Sequence, residues 1–110
     1  MDWTDFDITV ETELGKFRLV CYGYFVDTNN QSPYLQALKD DKEWGRLTVN
    51  ILPWTPSNDR EILVKTWSEN RTWAPLILEN GPFRDTGRRV PSGFVHAEVW
   101  EYVEKLEVPF

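Results

Sequence analysis

Ten consecutive residues do most to limit what this chain can become: Phe17-Arg18-Leu19-Val20-Cys21-Tyr22-Gly23-Tyr24-Phe25-Val26. Aromatic and β-branched side chains dominate the run, which is the composition of an extended strand. Both of its alternating sets are apolar. Such a strand has to lie in the centre of a sheet or be covered on both sides.

The surrounding segments supply partners for it. Ile8 to Thr12 reads as a shorter preceding strand, joined through Gly15. Asp27 to Pro33 is a polar loop. Tyr34 to Leu38 suits a helical turn or a short strand. The polar turn Asp40–Glu43 leads into Gly45–Ile51, where Leu47, Val49 and Ile51 alternate onto one face, so a hairpin is expected there. Pro53 to Asp59 interrupts the pattern, because two prolines cannot continue a central strand. Glu61 to Trp67 is a further strand, with Ile62 and Val64 on one face and Leu63 and Trp67 on the other.

A short helix is expected over Asn70–Asn80. Ser68 or Asn70 would cap it, Pro75 would sit in its first turn, and Trp73, Leu76 and Ile77 would face the sheet. Gly81, in a left-handed conformation, and Pro82 would end it. Phe94 to Leu106 fits either period, and its valines and aromatics favour a strand. The sum is a single α+β domain over residues 1–110: a mainly antiparallel, twisted sheet of four to six strands with one short helix packed on one face.

A chain of 110 residues with six tryptophans, six phenylalanines and four tyrosines can fill one core without staples. Its formal net charge of −6 opposes non-specific binding to nucleic acid or anionic membrane. The single cysteine, Cys21, forms no internal disulfide and fits a reducing compartment. Residues 1–15 do not read as a leader, and no run approaches the roughly 20 apolar residues of a membrane helix. A cytoplasmic protein is expected.

Few residues carry recognisable chemistry. His96 is the lone histidine and has no ligand partner at metal-binding spacing, so it reads as structural. Cys21 lies in an apolar strand and reads as packing. Ser68 and Ser92 lack a nucleophile elbow, and no glycine-rich phosphate loop is present. No catalytic, cofactor-binding or metal-binding residue is therefore expected.

The charge pattern is more informative. Met1–Gly15 holds five acids and no base, and Phe94–Phe110 holds four acids and one lysine. Between them, Gly81–Gly93 carries Arg84, Arg88 and Arg89 against one aspartate. This turn-rich, glycine-marked segment either binds an anion or partner through arginine and a nest of backbone N–H groups around Gly87, or neutralises the acids nearby. Trp54, between two prolines, is either exposed at a binding face or folded back over the sheet. The candidate contact set is Arg84, Arg88, Arg89, Ser92, Trp54 and Trp67.

Three blocks carry a resemblance: Arg46–Ile51, Ile62–Asn70, and above all Thr86-Gly87-Arg88-Arg89-Val90-Pro91-Ser92-Gly93-Phe94-Val95. In this order they resemble blocks of small proteins of unknown function encoded by bacterial phages, plasmids and conjugative elements. The resemblance spans roughly Phe17 to Val103. This chain departs from it at Trp67, where a tyrosine-like position stands, at Arg71, where an acid is usual, and in longer loops at Asp27–Pro33 and Leu52–Asp59. The resemblance implies an α+β fold, an intracellular setting, and a strand at Tyr34–Leu38 paired through Asp40–Glu43 to Gly45–Ile51.

It brings no activity with it. The expected function is a non-catalytic binding protein of a mobile element with a protein partner, such as an inhibitor of a host defence or restriction protein. Direct contact with nucleic acid or membrane is not expected. The alternatives are a module or minor enzyme for an anionic metabolite or nucleotide, and a structural homodimer.

Overall fold

The computed structural model describes residues 1–103. Strands β1 (Asp7–Thr12), β2 (Gly15–Tyr24), β3 (Pro33–Lys39) and β4 (Lys42–Arg46) form an antiparallel meander in that order. Strands β5 (Glu61–Val64), β6 (Phe83–Ser92) and β7 (Val95–Tyr102) form a second antiparallel sheet with β7 in the middle. A helix, α1 (Ala74–Asn80), packs with both sheets. The α+β class is as expected, with the strands divided between two sheets.

β2 is central, as its composition requires. Phe17 and Leu19 point inward and are fully buried. The alternate residues Arg18 and Tyr22 face outward, and Tyr22 remains half exposed. The β3–β4 hairpin turns through Asp40 and Asp41, both with positive φ, the pattern of a type I′ turn. Tyr34–Leu38 thus belongs to a strand, and Asp40 and Asp41 form the turn expected there.

Gly45–Ile51, however, is not one strand. β4 ends at Arg46, and Leu47–Val49 passes from the first sheet to the second. The Leu47 N–H still donates to Leu35 O of β3 (2.9 Å), while Lys65 N–H donates to Leu47 O (2.9 Å) and Val49 N–H to Leu63 O (3.0 Å). Between them, the Thr48 hydroxyl accepts from Leu35 N–H (3.0 Å) and donates to Pro33 O (2.9 Å), in place of a backbone ladder. A single bridge pairs Thr48 with Val64.

The expected helix over Asn70–Asn80 is split into a 3-10 turn, Ser68–Arg71, and α1. Neither Ser68 nor Asn70 caps it. Asn70 is instead fully buried, and its amide donates to Arg46 O (2.8 Å) and Lys65 O (3.0 Å), tying the two sheets. Pro75 does sit in the first turn of α1. Gly81 is extended (φ −96°, ψ 178°), not left-handed. Glycine is required there by space, since a Cβ would lie 2.6 Å from Ile77 O. The strand expected in 94–106 is present as β7 through Tyr102, and residues 104–106 lie outside the described residues.

The main core lies between the inner faces of the sheets and α1. Its members include Trp3, Phe17, Leu35, Trp73, Ile77 and Trp100, with Phe17 and Trp73 stacked at 5.8 Å. Trp73, Ala74 and Ile77 are the buried face of the helical segment, and Leu76 is half-buried. A smaller core of Val49, Leu63, Ala97 and Val99 lies on the outer face of the second sheet, under Ile51, Trp54, Trp67 and Val90. No helix among the described residues is long and apolar enough to cross a membrane.

Thr48→Val keeps the shape of the crossing residue but leaves the buried Leu35 N–H and Pro33 C=O without partners. The loss should be about 2–4 kcal/mol in urea unfolding. Thr48→Ser retains the hydroxyl and should lose less than half of that.

Candidate functional site

The arginine segment is not a loop. Arg84, Arg88 and Arg89 all lie on β6, an edge strand of the second sheet. An edge position accommodates Pro91, whose missing N–H is not needed for the ladder to β7. The irregularity that resembles a loop in the sequence is a bulge: four steps from Asp85 to Arg89 face two steps, Trp100 to Glu98, on β7. Gly87 takes φ 85° inside it.

The bulge satisfies its own polar groups. Asp85 Oδ1 accepts from Gly87 N–H (2.9 Å), and Thr86 Oγ1 accepts from Arg88 N–H (3.2 Å) while donating to Val99 O (2.7 Å). The N–H groups of Gly87 and Arg88 are therefore engaged within the bulge, and the expected nest has no free donors at those two positions.

Each arginine meets a carboxylate. Arg84 pairs with Glu101 at 3.1 Å, and that bond holds the Glu101 carboxyl below its ordinary pKa. Arg89 binds both oxygens of Asp85 (2.9 and 2.8 Å) and approaches Glu98 (3.8 Å). The hydrogen bond from Arg89 is the main cause of a lowered Asp85 pKa. Arg88 leaves the bulge toward the second core, donating to Ser57 Oγ (3.0 Å) and pairing with Glu61. Glu61 is only 2% exposed and also accepts from Ser57 N–H (2.7 Å). Arg88 is thus a strut that clamps the Pro53–Asp59 loop onto the sheet.

That loop closes over the second core. Trp54, in a turn begun by its N–H bond to Ile51 O (3.1 Å), folds back against Val49, Leu63, Ala97 and Val99 and is half-buried, as is Trp67 beside it. The structure therefore brings Trp54, Trp67 and Arg88 to the outer face of the second sheet. Arg84, opposite Glu101, and Ser92, opposite Val95, belong to the same face by pairing. Arg89 points to the other face, with Asp85 and Glu98.

The most exposed apolar residue among the described residues escaped the sequence reading as a site. Ser92 pairs with Val95, so Gly93 and Phe94 form a two-residue turn at the tip of the β6–β7 hairpin. Gly93 has φ 61° and Phe94 does not have a positive φ, which is the type II′ pattern. Phe94 is 106% exposed: its ring touches nothing that shields it. The turn geometry calls for the glycine but not for the phenylalanine. The available signal was an aromatic at a turn position where polar residues are usual.

His96 is exposed on β7, so it is a surface residue and not a packed one. Cys21 is half-buried, donates to Gly23 O (3.2 Å), and has its pKa raised by burial, which suits packing and not reactivity. No group of metal-ligating side chains converges among the described residues. A half-open cavity of about 350 Å³ lies beside Trp3, Tyr24, Asn30, Gln31, Pro56 and Asn58. Compared with known proteins, the chain matches no family model, no curated protein and no solved structure.

Arg88→Met should destabilise the fold by about 3 kcal/mol, because it leaves the Glu61 carboxylate buried without its cation. Adding Glu61→Leu should restore most of the loss in urea melts. Acid should act through Asp85. Its folded pKa lies below the ordinary 3.8, so the unfolded chain takes up the proton first as pH falls. Its stabilising contribution is complete above its unfolded pKa and is lost as pH drops through the folded value. Asp85→Asn should flatten the stability profile in that window.

Proposed function

We propose that this chain is a non-catalytic binding protein whose contact surface is the hairpin end of the second sheet. The observation that carries the reading is Phe94. A fully exposed phenylalanine on a tight two-residue turn, its backbone fixed by the flanking β6–β7 ladder, has its whole ring to bury in a partner. The outer face of the same sheet has the residue types of an interface hot spot: Trp54 and Trp67 half-buried, Ser92 in the adjoining strand and Arg88 farther along it, while Arg84 lies at the far end of β6 and Arg89 on the other face. Arg88 also serves the fold, so its part in binding is to present N–H groups not used by Glu61 and Ser57.

The resemblance of Thr86–Val95 to proteins of mobile elements supports a more specific form of this reading. In that form the chain acts inside a bacterial cell and blocks a host defence or restriction protein. The acidic balance supports a protein partner over nucleic acid. An anionic metabolite or nucleotide at Arg88 and Arg89 is less favoured, since it must displace Glu61 or Asp85 from charge-assisted bonds.

The test compares wild-type and Phe94→Ser chains, tagged and passed through bacterial lysate. The wild type should retain one dominant protein, and Phe94→Ser should lose it while melting within about 0.5 kcal/mol of wild type. Equal retention by the variant removes Phe94 from the contact, and no specific retention removes the binding reading. Light scattering should give the monomer mass, and a Phe94-dependent dimer would instead identify the tip as a self-association site. Phosphate and nucleotides should produce no thermal shift. A ligand at a hundredfold its Kd would add about 2.7 kcal/mol.

A further inference from the structure

The outward face of the first sheet holds a second arrangement that the hairpin does not use. Tyr22 on β2 and Tyr34 on β3 lie nearly parallel, with ring centroids 5.8 Å apart and planes 14° apart. Phe25 tilts against Tyr34 at 5.6 Å. The strip is open to solvent: Tyr22 is 52% exposed and the neighbouring Val26 is 80% exposed.

Two opposite charges reach this strip from β4. The register places Arg46 opposite Gln36 and Glu43 opposite Leu38, so both project outward beside the tyrosines. They form no ion pair with each other. The Arg46 guanidinium lies over the Tyr34 ring at 5.5 Å, and Glu43 accepts from the Tyr22 hydroxyl at 3.2 Å. One tyrosine therefore carries a guanidinium already, and its stacked neighbour carries a carboxylate with no cation among the described residues. Two residues past Phe25 in the chain, Asp27 bonds only to the Asn50 amide (3.3 Å). The carboxylates farther along the same face differ: Asp7 is taken by Arg18 and Glu11 by Lys16.

We propose that this face docks an arginine-bearing segment of a partner protein, with one guanidinium stacking on Tyr22 and pairing with Glu43, and a second cation reaching Asp27. Arg46 over Tyr34 is the internal precedent for the stacking. Arginine fits better than lysine because a planar, weakly hydrated cation can stack on the ring and bind a carboxylate with its edge at once. Charge complementarity favours this occupant. Glu43 and Asp27 outnumber Arg46, which already lies over Tyr34, and the whole chain carries −6. A stacked single strand of nucleic acid would also find aromatic faces, but would bring its phosphates against Glu43 and Asp27.

The proposal concerns a different sheet from the hairpin tip and stands independently of it. Fluorescence anisotropy with a short labelled Arg-Gly repeat peptide tests it, alongside a Lys-Gly repeat of equal charge and an oligothymidylate. The Arg-Gly peptide should bind more tightly than the other two. Tyr22→Leu and Glu43→Gln should each weaken it about three- to fivefold, the size of an exposed cation–π or ion-pair contact. Tyr22→Phe should bind like wild type, and so should Phe94→Ser. Circular dichroism verifies that each variant is folded, and the exposed Glu43→Gln change keeps the test open if Tyr22→Leu is not. Equal binding of the arginine and lysine peptides, indifference to both substitutions, dependence on Phe94, tighter binding of the oligonucleotide, or no binding at all would each overturn the proposal.

Discussion

The architecture depends on three residues, Leu47 to Val49, that belong to neither sheet and bond to both. A meander and a three-stranded sheet placed face to face would otherwise meet through side chains alone. Backbone groups on either side of Thr48 finish the β3 ladder and begin the β5 ladder within one turn of chain. Where the chain leaves β3, two buried backbone groups would be orphaned, and the Thr48 hydroxyl serves both by donating to one and accepting from the other. Asn70 repeats the device nearby, donating to a carbonyl at the end of β4 and to another just beyond β5. Buried polar side chains here do the work of a missing strand, and that sets the angle at which the inner faces close on Trp3, Trp73 and Trp100.

A consequence appears on the far side of the second sheet. With its inner face committed to the main core, β7 turns Ala97 and Val99 outward, and the loop after the crossing must cover them. Trp54 supplies the area and Arg88 the attachment. The bulge in β6 is what aims Arg88 at Glu61 and Ser57, since the extra residues turn it out of line with the ladder to β7. The same clamp stiffens the β6–β7 hairpin at its base, so the tip that exposes Phe94 is held by a covered, hydrogen-bonded sheet.

Much of this was legible in the residues, and the illegible parts share a cause. The central position of β2 followed from apolar residues in both of its alternating sets. The faces of β5 followed from Ile62 and Val64 against Leu63. Period-two alternation reports which residues share a face, but not which strand lies alongside. For that reason Leu47, Val49 and Ile51 resembled one strand although they leave one sheet for another. β6 was hidden for a different reason. Gly87, Pro91 and three arginines suppress the apolar signal of a strand, and an edge strand tolerates all of them. The arginines stood out as a charge anomaly, yet their carboxylate partners, Glu61, Asp85 and Glu101, come from three strands. Phe94 and Tyr22 were visible as residues but not as surface, because an aromatic side chain announces burial until a structure shows otherwise.

The distribution of charge separates the two exposed aromatic features. At the hairpin the basic excess of Gly81–Gly93 is cancelled locally, arginine by arginine, so Phe94 projects from a nearly neutral, rigid support. On the first sheet the cancellation is incomplete: Arg46 is spent on Tyr34 and leaves Glu43 at Tyr22 with only a hydroxyl. An apolar tip on neutral ground selects by shape, by filling a pocket. An aromatic strip beside uncompensated carboxylates selects by charge, and long-range attraction to a basic partner precedes contact. Under the two proposals the surfaces would meet different partners or successive stages of one encounter, with the acidic face steering and the phenylalanine locking.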